Sequence, residues 1–282
     1  MTTAAEALTR ASSFLEEAGR EGRIAEVLLL HHTGWSRARL LAEKRAELPV
    51  EIVELLWSDV QRAADGMPVQ HLTGEETFYG RTFSVNRHVL IPRPETEEVV
   101  QYLLERLPEN ASVLDVGTGS GILAVTIKKE RPDVSVTAVD ISRNALETAA
   151  ANAAALEADV TFLESDLLDV PIRSGSRFDA VISNPPYVPE TDRLSMAEHV
   201  TSHEPELALF AGEDGLELYR RLCGQLPCVL RRPGLVVFEI GWNQGDSVAA
   251  LLQKAFTSAQ VDVVRDINQN ERIAAAAVPL RG

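Results

Sequence analysis

The chain has little cysteine. Its two residues, Cys223 and Cys228, have a spacing that fits neither a zinc-ligand pair nor a redox pair, and no second pair completes a set, so both read as free thiols. No apolar run approaches the length that spans a bilayer. The opening residues, Met1-Thr2-Thr3-Ala4-Ala5-Glu6, lack the basic segment and apolar core of a secretion signal, so the expected location is cytoplasmic, without a membrane role. A basic surplus is missing too: 27 Lys and Arg stand against 42 Asp and Glu, a formal net charge of −15. A protein that grips nucleic acid by its phosphates needs a basic surface, so this balance favours a protein partner with basic surface over DNA or RNA. Six histidines include His31-His32, but adjacent side chains on a helix diverge, and no metal site is expected.

What the chain does have is enough length and apolar content for two domains with buried cores, at 282 residues, 45% hydrophobic and 24% charged. Over residues 1–65, apolar positions such as Ala7-Leu8, Phe14-Leu15, Val27-Leu28, Leu55-Leu56 and Val60 recur at helical intervals, which predicts a small helical bundle. In residues 66–92 the glycines Gly66, Gly74 and Gly80 flank short β-prone runs, which predicts a hairpin linker. From residue 93 to 282 strands and helices alternate. Strands near 112, 134, 160, 178, 234 and 261, with a final run Ile273–Val278, make seven, an α/β pattern.

Three successive strand ends carry groups that suit a nucleoside cofactor. The run Ser112–Val116 leads into Gly117-Thr118-Gly119-Ser120-Gly121 and then an apolar helix, a strand, glycine-rich turn and helix in which a ligand can approach the backbone closely. The turn lacks the third glycine position of a dinucleotide fingerprint, which disfavours NAD. The second strand ends in Asp140, placed to hold ribose hydroxyls, and the third reaches Asp166-Leu167, a carboxylate beside an apolar side chain suited to an adenine amino group. Taken singly, each carboxylate reads as a loop residue or helix cap; taken in this order, they point to one cofactor site.

The fourth strand, Phe178–Ser183, runs into Asn184-Pro185-Pro186-Tyr187. The Asn184 side-chain oxygen and the Pro185 carbonyl, its direction fixed by the following proline, can accept both hydrogens of an NH2 group, and Tyr187 can stack on the flat group that bears it. This reading fits methyl transfer to nitrogen and leaves the acceptor open between an amide and the exocyclic amine of a base.

With these motifs, the segments Pro68–Gly74, Leu90-Ile91-Pro92-Arg93-Pro94-Glu95-Thr96-Glu97, Glu204-Pro205-x-x-Ala208-Leu209, Glu239-Ile240-Gly241-x-x-Gln244 and Asp266-x-x-x-x-Glu271-Arg272 resemble the S-adenosylmethionine-dependent protein-(glutamine-N5) methyltransferases that modify peptide chain release factors. The resemblance covers nearly the whole chain. The chain departs at Asn268-Gln269-Asn270, where a glycine is usual.

The resemblance implies a class I, Rossmann-like seven-stranded methyltransferase domain over residues 93–282, joined by the hairpin to an N-terminal helical substrate-recognition domain. It implies that Gly117, Thr118, Gly119, Ser120 and Gly121 line the methionine and ribose side of S-adenosylmethionine, with Asp140 at the ribose, Asp166 and Leu167 at the adenine, and Asn184 at the reacting end. Asp115 is expected to orient the loop and to reach the methionine ammonium. Asn184, Pro185 and Tyr187 are the expected catalytic residues, and with Pro186 they form the expected substrate site. The implied acceptor is the glutamine of the Gly-Gly-Gln motif in class I release factors, with no metal and no catalytic carboxylate. Arg93, Glu95, Glu204 and Glu239 are left between a role at the substrate mouth and a structural one. A methyltransferase acting on adenine or guanine shares the tetrapeptide chemistry, but acidic charge and the flanking segments oppose it. A non-catalytic binding protein is opposed by the intact glycine loop, Asp140 and tetrapeptide.

Overall fold

In the computed structural model, residues 2–194 and 204–280 are described. The chain divides into two compact units between Glu75 and Glu76. The first is helical: α1 (Ala4–Glu17), α2 (Arg23–Thr33), α3 (Arg37–Ala42), α4 (Val50–Ala64) and α5 (Val69–Thr73). Helix α1 starts at a capping box, in which the Thr3 hydroxyl accepts from Glu6 N and the Glu6 carboxylate accepts from Thr3 N. Leu15, Leu28, Leu29, Leu56 and Val60 fill the core, and Val69 and Leu72 of α5 pack against it. Because α5 shares that core, the helical unit runs past the expected boundary at residue 65.

The hairpin β1 (Glu75–Phe78) and β2 (Arg81–Ser84) is also more than a linker. Phe78 and Phe83 are buried in the core of the second unit beside Val99, Leu103 and Ile127. Ser84 is tied at both its N–H and its C=O to the Asn152 side chain, which also donates to Ser120 O. Asn152 is thus a buried polar clamp inside an otherwise alanine-rich helix.

The second unit continues with α6 (Glu95–Leu104), β3 (Ser112–Val116), α7 (Ile122–Glu130), β4 (Ser135–Asp140), α8 (Arg143–Ala155), β5 (Val160–Glu164), α9 (Asp169–Arg173) and β6 (Phe178–Ser183). It ends with α10 (Glu217–Gln225), β7 (Leu230–Glu239), α11 (Gly245–Ala255), β8 (Gln260–Arg265) and β9 (Glu271–Val278). Seven strands pair in the order β5-β4-β3-β6-β7-β9-β8, with β9 antiparallel to both neighbours and the other pairings within β3 to β7 parallel.

Alternate residues feed two cores on opposite faces: Val113, Ala180, Ile182 and Val237 on one, Leu114, Val116, Val181, Val236 and Phe238 on the other. Burial on both faces explains why these strands read as unbroken apolar runs. The chain order reverses between β3 and β6, the switch point at which open α/β sheets bind ligands beyond their strand ends.

In the turn joining β8 to β9, Gln269 sits at φ 67°, the left-handed backbone that glycine tolerates best. That accounts for the usual glycine there, and Gln269 N donating to Asp266 O closes the turn without it. Among the described residues no helix is long and apolar enough to cross a membrane, and no group of three or more His, Cys, Asp or Glu is arranged to hold a metal ion. Cys223 is buried, Cys228 exposed, and neither forms a disulfide.

Candidate active site

A cavity of about 350 Å³ opens at the switch point, within the size of pockets that hold small ligands. Its wall brings together Gly117, Thr118, Gly119 and Ser120 from the turn after β3 and Asp140 from the end of β4. Asp166 and Leu167 follow β5, and Asn184 and Pro186 follow β6. Four residues expected at the site, Asp115, Gly121, Pro185 and Tyr187, do not line it.

The glycine turn works differently from the sequence expectation. Gly117 N and Thr118 N both donate to Val139 O, and Gly119 N donates to Asp140 Oδ2 at 2.9 Å, so these amides hold β4 in place. What the turn offers the cavity is room: a Cβ on Gly117 or Gly119 would project into open space. Gly121 has a packing role instead. Its φ is +84°, and a Cβ there would lie 3.0 Å from Ala149 Cβ and 3.1 Å from its Cα, so the absence of a side chain lets α7 start against α8.

Asp140 accepts from Gly119 N and, at 2.8 Å, from Ser142 N, with the Ile141 amide also turned to it, which still leaves acceptor capacity for a ligand hydroxyl. Burial raises its carboxyl above the usual range, opposed by those amide bonds. Asp115 lies under the turn, fully buried, with Thr118 Oγ1 donating to Oδ2 at 2.6 Å and Oδ1 without a partner. Burial pushes this carboxyl up to about 7. Asp166 is shared, since Arg221, another cavity residue, donates to its Oδ2 at 2.7 Å. Leu167 holds φ 47° at the cavity wall, a backbone conformation unusual for a leucine. Open space at the two glycines, an orphaned acidic oxygen beneath the loop and two carboxylates along the wall fit a nucleoside with a cationic amino-acid tail.

The other side of the cavity is built from distant parts of the chain. Asn184 Nδ2 donates to Thr96 Oγ1 at 3.5 Å, and the Thr96 hydroxyl donates to Glu239 Oε2 at 2.7 Å. Thr96 and Glu239 are buried, and burial pushes the Glu239 carboxyl up to about 7. Arg93 lines the cavity and reaches Glu204 Oε1 at 2.5 Å.

Tyr187 turns away from the cavity. Its ring packs at Gly241, whose absent Cβ would stand 3.4 Å from Tyr187 Cδ2, and its phenol meets Arg272. Burial raises that phenol to about 12, so Tyr187 stays protonated as a neutral prop for the loop. Pro185 is buried behind Asn184.

Sequence reasoning did not assign cavity positions to His88, Val89 and Leu90 beyond the hairpin, or to Phe210 and Leu218. Four of these are apolar side chains without a chemical signature, and the fifth is a histidine in a loop with no motif around it, so only their three-dimensional placement identifies them.

Residues 95–207 match the Methyltransferase small domain family and residues 6–74 the PrmC N-terminal domain family. The chain is 47% identical over 284 aligned positions to a release factor glutamine methyltransferase from Bacillus subtilis, with 99% of each protein covered. It is 39% identical to the protein of the same name from Staphylococcus aureus, covering 95% of this chain and 96% of that one. Among solved structures it resembles a methyltransferase from Pyrococcus furiosus, with TM-score 0.54, 14% identity and coverage of 79% of this chain and 99% of that one. A second likeness is the Thermus thermophilus 16S rRNA N2 G1207 methyltransferase, with TM-score 0.52, 18% identity and coverage of 72% and 49%. At those identities the structures speak for the fold, an α/β class I methyltransferase, while the curated relatives speak for the family. The chain belongs to the release factor glutamine methyltransferase family.

Proposed function

We propose that this enzyme transfers a methyl group from S-adenosylmethionine to the side-chain nitrogen of the glutamine in the Gly-Gly-Gln motif of class I release factors. The observation that carries the reading is the placement of Asn184 in the same cavity wall as Gly117, Gly119, Asp140 and Asp166, an amide acceptor beside a nucleoside cradle. S-adenosylmethionine supplies, when bound, a methyl group activated by its sulfonium. Gly117 and Gly119 leave space for it, Asp140 and Asp166 offer carboxylate acceptors, and Asp115 Oδ1 offers an anion to its ammonium.

A glutamine amide nitrogen is a poor nucleophile because its lone pair is delocalised into the carbonyl. Asn184 Oδ1, carried in the cavity wall, accepts a hydrogen of the amide and fixes its plane, and it binds more tightly as positive charge grows on the nitrogen. Held by Asn184, the nitrogen would meet the methyl of the bound donor, which would supply the methyl as an N–CH3 bond replaced its S–CH3 bond and its sulfur left as a neutral thioether. The nitrogen then sheds one proton to the Asn184 oxygen, a backbone carbonyl or water, so no catalytic carboxylate is needed. Tyr187, packed on Gly241, supports the loop rather than stacking on the substrate.

The helical unit is proposed to recognise release factor away from the reacting glutamine. It has a hydrophobic core of its own, and on its outside Leu41, Val50 and Leu55 keep 58%, 64% and 51% of their surface exposed, open to a partner. Changing Val50 and Leu55 to Asp is expected to raise KM for intact release factor while leaving methylation of a short Gly-Gly-Gln peptide unchanged; equal effects on both would remove the recognition role.

Incubation with labelled methyl donor and either release factor or tRNA, rRNA and DNA tests the acceptor. Label is expected on release factor alone, with mass spectrometry locating a single methyl on the Gly-Gly-Gln glutamine. Label in nucleic acid instead would overturn the reading.

A further inference from the structure

The acceptor side of the cavity depends on a hydrogen-bond relay that starts far from Asn184 in the chain. Thr96, fully buried in the first turn of α6, donates to Glu239 Oε2 at the end of β7. A hydroxyl carries one proton. With that proton committed to the carboxylate, Thr96 Oγ1 meets Asn184 only as an acceptor, so the NH2 end of the Asn184 amide must turn toward it. The amide oxygen is then left for the cavity.

We propose that Thr96 and Glu239 are positioning residues that fix the direction of the Asn184 amide, so that the cavity presents an acceptor, not a donor, to an incoming NH2 group. The inference rests on Asn184 being the residue that holds the substrate nitrogen. It adds a source of selectivity: an amide turned the other way would set NH2 against NH2 and repel the substrate it is meant to hold.

The relay is sensitive to protonation. Glu239 is faced by Thr96 and Glu95 of α6, by Arg93 just before that helix, by Arg272 of β9, and by the phenols of Tyr187 and Tyr219. Burial raises its carboxyl to about 7, against the Thr96 hydrogen bond and the positive charges of Arg272 and Arg93. Once protonated, the carboxyl becomes a donor and its O–H hydrogen-bonds to Thr96 Oγ1. Thr96 is then free to donate to Asn184, and the amide turns its NH2 to the cavity. Turnover at saturating cofactor should therefore rise with pH through about 7 and fall below it.

The test uses the full-length enzyme with intact release factor, saturating methyl donor and a series of pH values, together with calorimetric cofactor affinity and a thermal melt for each variant. Thr96→Val is expected to lower kcat about 10- to 100-fold, with cofactor Kd within about twofold of the unaltered enzyme. Thr96→Ser, which keeps the hydroxyl, is expected to recover most of the loss, and Glu239→Gln to remove the acid limb of the kcat profile. Wild-type kcat in Thr96→Val overturns the proposal, as does an acid limb that survives in Glu239→Gln. Parallel losses of kcat and cofactor affinity overturn it too, because they mark a merely structural role. Should Thr96→Val not fold, the pH profile of the near-isosteric Glu239→Gln decides: loss of the acid limb supports the relay, and its survival overturns it. An unaltered enzyme that fails to methylate release factor overturns the functional reading beneath the proposal; normal transfer with an indifferent Thr96→Val overturns the proposal alone.

Discussion

In the wall formed by β3, β4 and β5, polar contacts mostly join residues close in sequence: Asp115 with Thr118 across three positions, Asp140 with Ser142 across two, Gly119 with Asp140 across 21. In the wall formed by β6 and β7 they span the domain. Thr96 meets Glu239 across 143 positions, Arg93 meets Glu204 across 111, and Asn184 meets Thr96 across 88. The first wall is a cradle of backbone shape with carboxylates at strand ends, and it suits a ligand common to many enzymes. The second is a side-chain relay that only the assembled sheet creates, and it suits the acceptor particular to this family. Cofactor affinity and turnover should therefore respond to different substitutions.

The largest expected effect tests that separation directly. Asn184→Ala should cut kcat about 100- to 1,000-fold, about 3–4 kcal/mol of transition-state stabilisation, while calorimetry finds cofactor affinity nearly unchanged. A matching loss of affinity would mean that the two walls act as one.

Next comes Gly121, which belongs to the cofactor wall by motif but not by contact. Gly121→Val must place a branched side chain at φ +84° and against the Ala149 backbone. It is expected to cost about 2–3 kcal/mol of folding stability, read as a lower denaturant midpoint. Cofactor affinity in the folded fraction should change far less than in an Asp140→Ala variant. Unchanged stability would return Gly121 to the ligand-binding set.

This difference in range also explains how much of the molecule is legible in the sequence. The inner strands β3, β6 and β9 can be placed because each is an apolar run buried on both faces, whereas the edge strands β5 and β8 are half-exposed and shorter on apolar signal; the cofactor turn can be placed because its glycines and carboxylates lie within one strand–helix–strand unit. Asn184 is legible because Pro185 and Pro186 mark it. The role of Thr96 is not, since a threonine in a first helical turn looks like any other until β7 brings Glu239 to it. Tyr187 departs from its expected role for a related reason: an aromatic face suits a flat substrate by chemistry alone, and only the contact with Gly241 and Arg272 directs it inward. The hairpin passes for a linker because nothing in residues 75–84 announces that Asn152, deep in an alanine-rich helix, pins Ser84 to the catalytic unit.

A smaller effect should appear in the pH dependence of cofactor binding. In the free enzyme burial holds the Asp115 carboxyl at about 7, so the acid is largely protonated below that pH. A cationic ammonium favours the carboxylate, so binding expels a proton. Affinity should rise with pH up to about 7 and then level off, being about tenfold weaker one unit below that point, a difference of about 1.4 kcal/mol. Calorimetry in buffers of different ionisation enthalpy would register the released proton, and Asp115→Asn should flatten the profile. A wild-type affinity that ignores pH would detach Asp115 from the cofactor.

The smallest expected effect probes a long-range contact in the cofactor wall, Arg221 to Asp166, which are 55 positions apart. Both side chains are about two-fifths exposed, at 41% and 42%, so water screens the pair and its loss should change stability by less than about 1 kcal/mol. Asp166→Ala should weaken cofactor binding about 3- to 10-fold through the lost acceptor, whereas Arg221→Ala should stay within about threefold, with kcat unaltered in both. If Arg221→Ala instead weakens binding as much as Asp166→Ala does, the carboxylate acts only when the arginine orients it. The cofactor wall would then depend, like the acceptor wall, on a partner delivered by the fold.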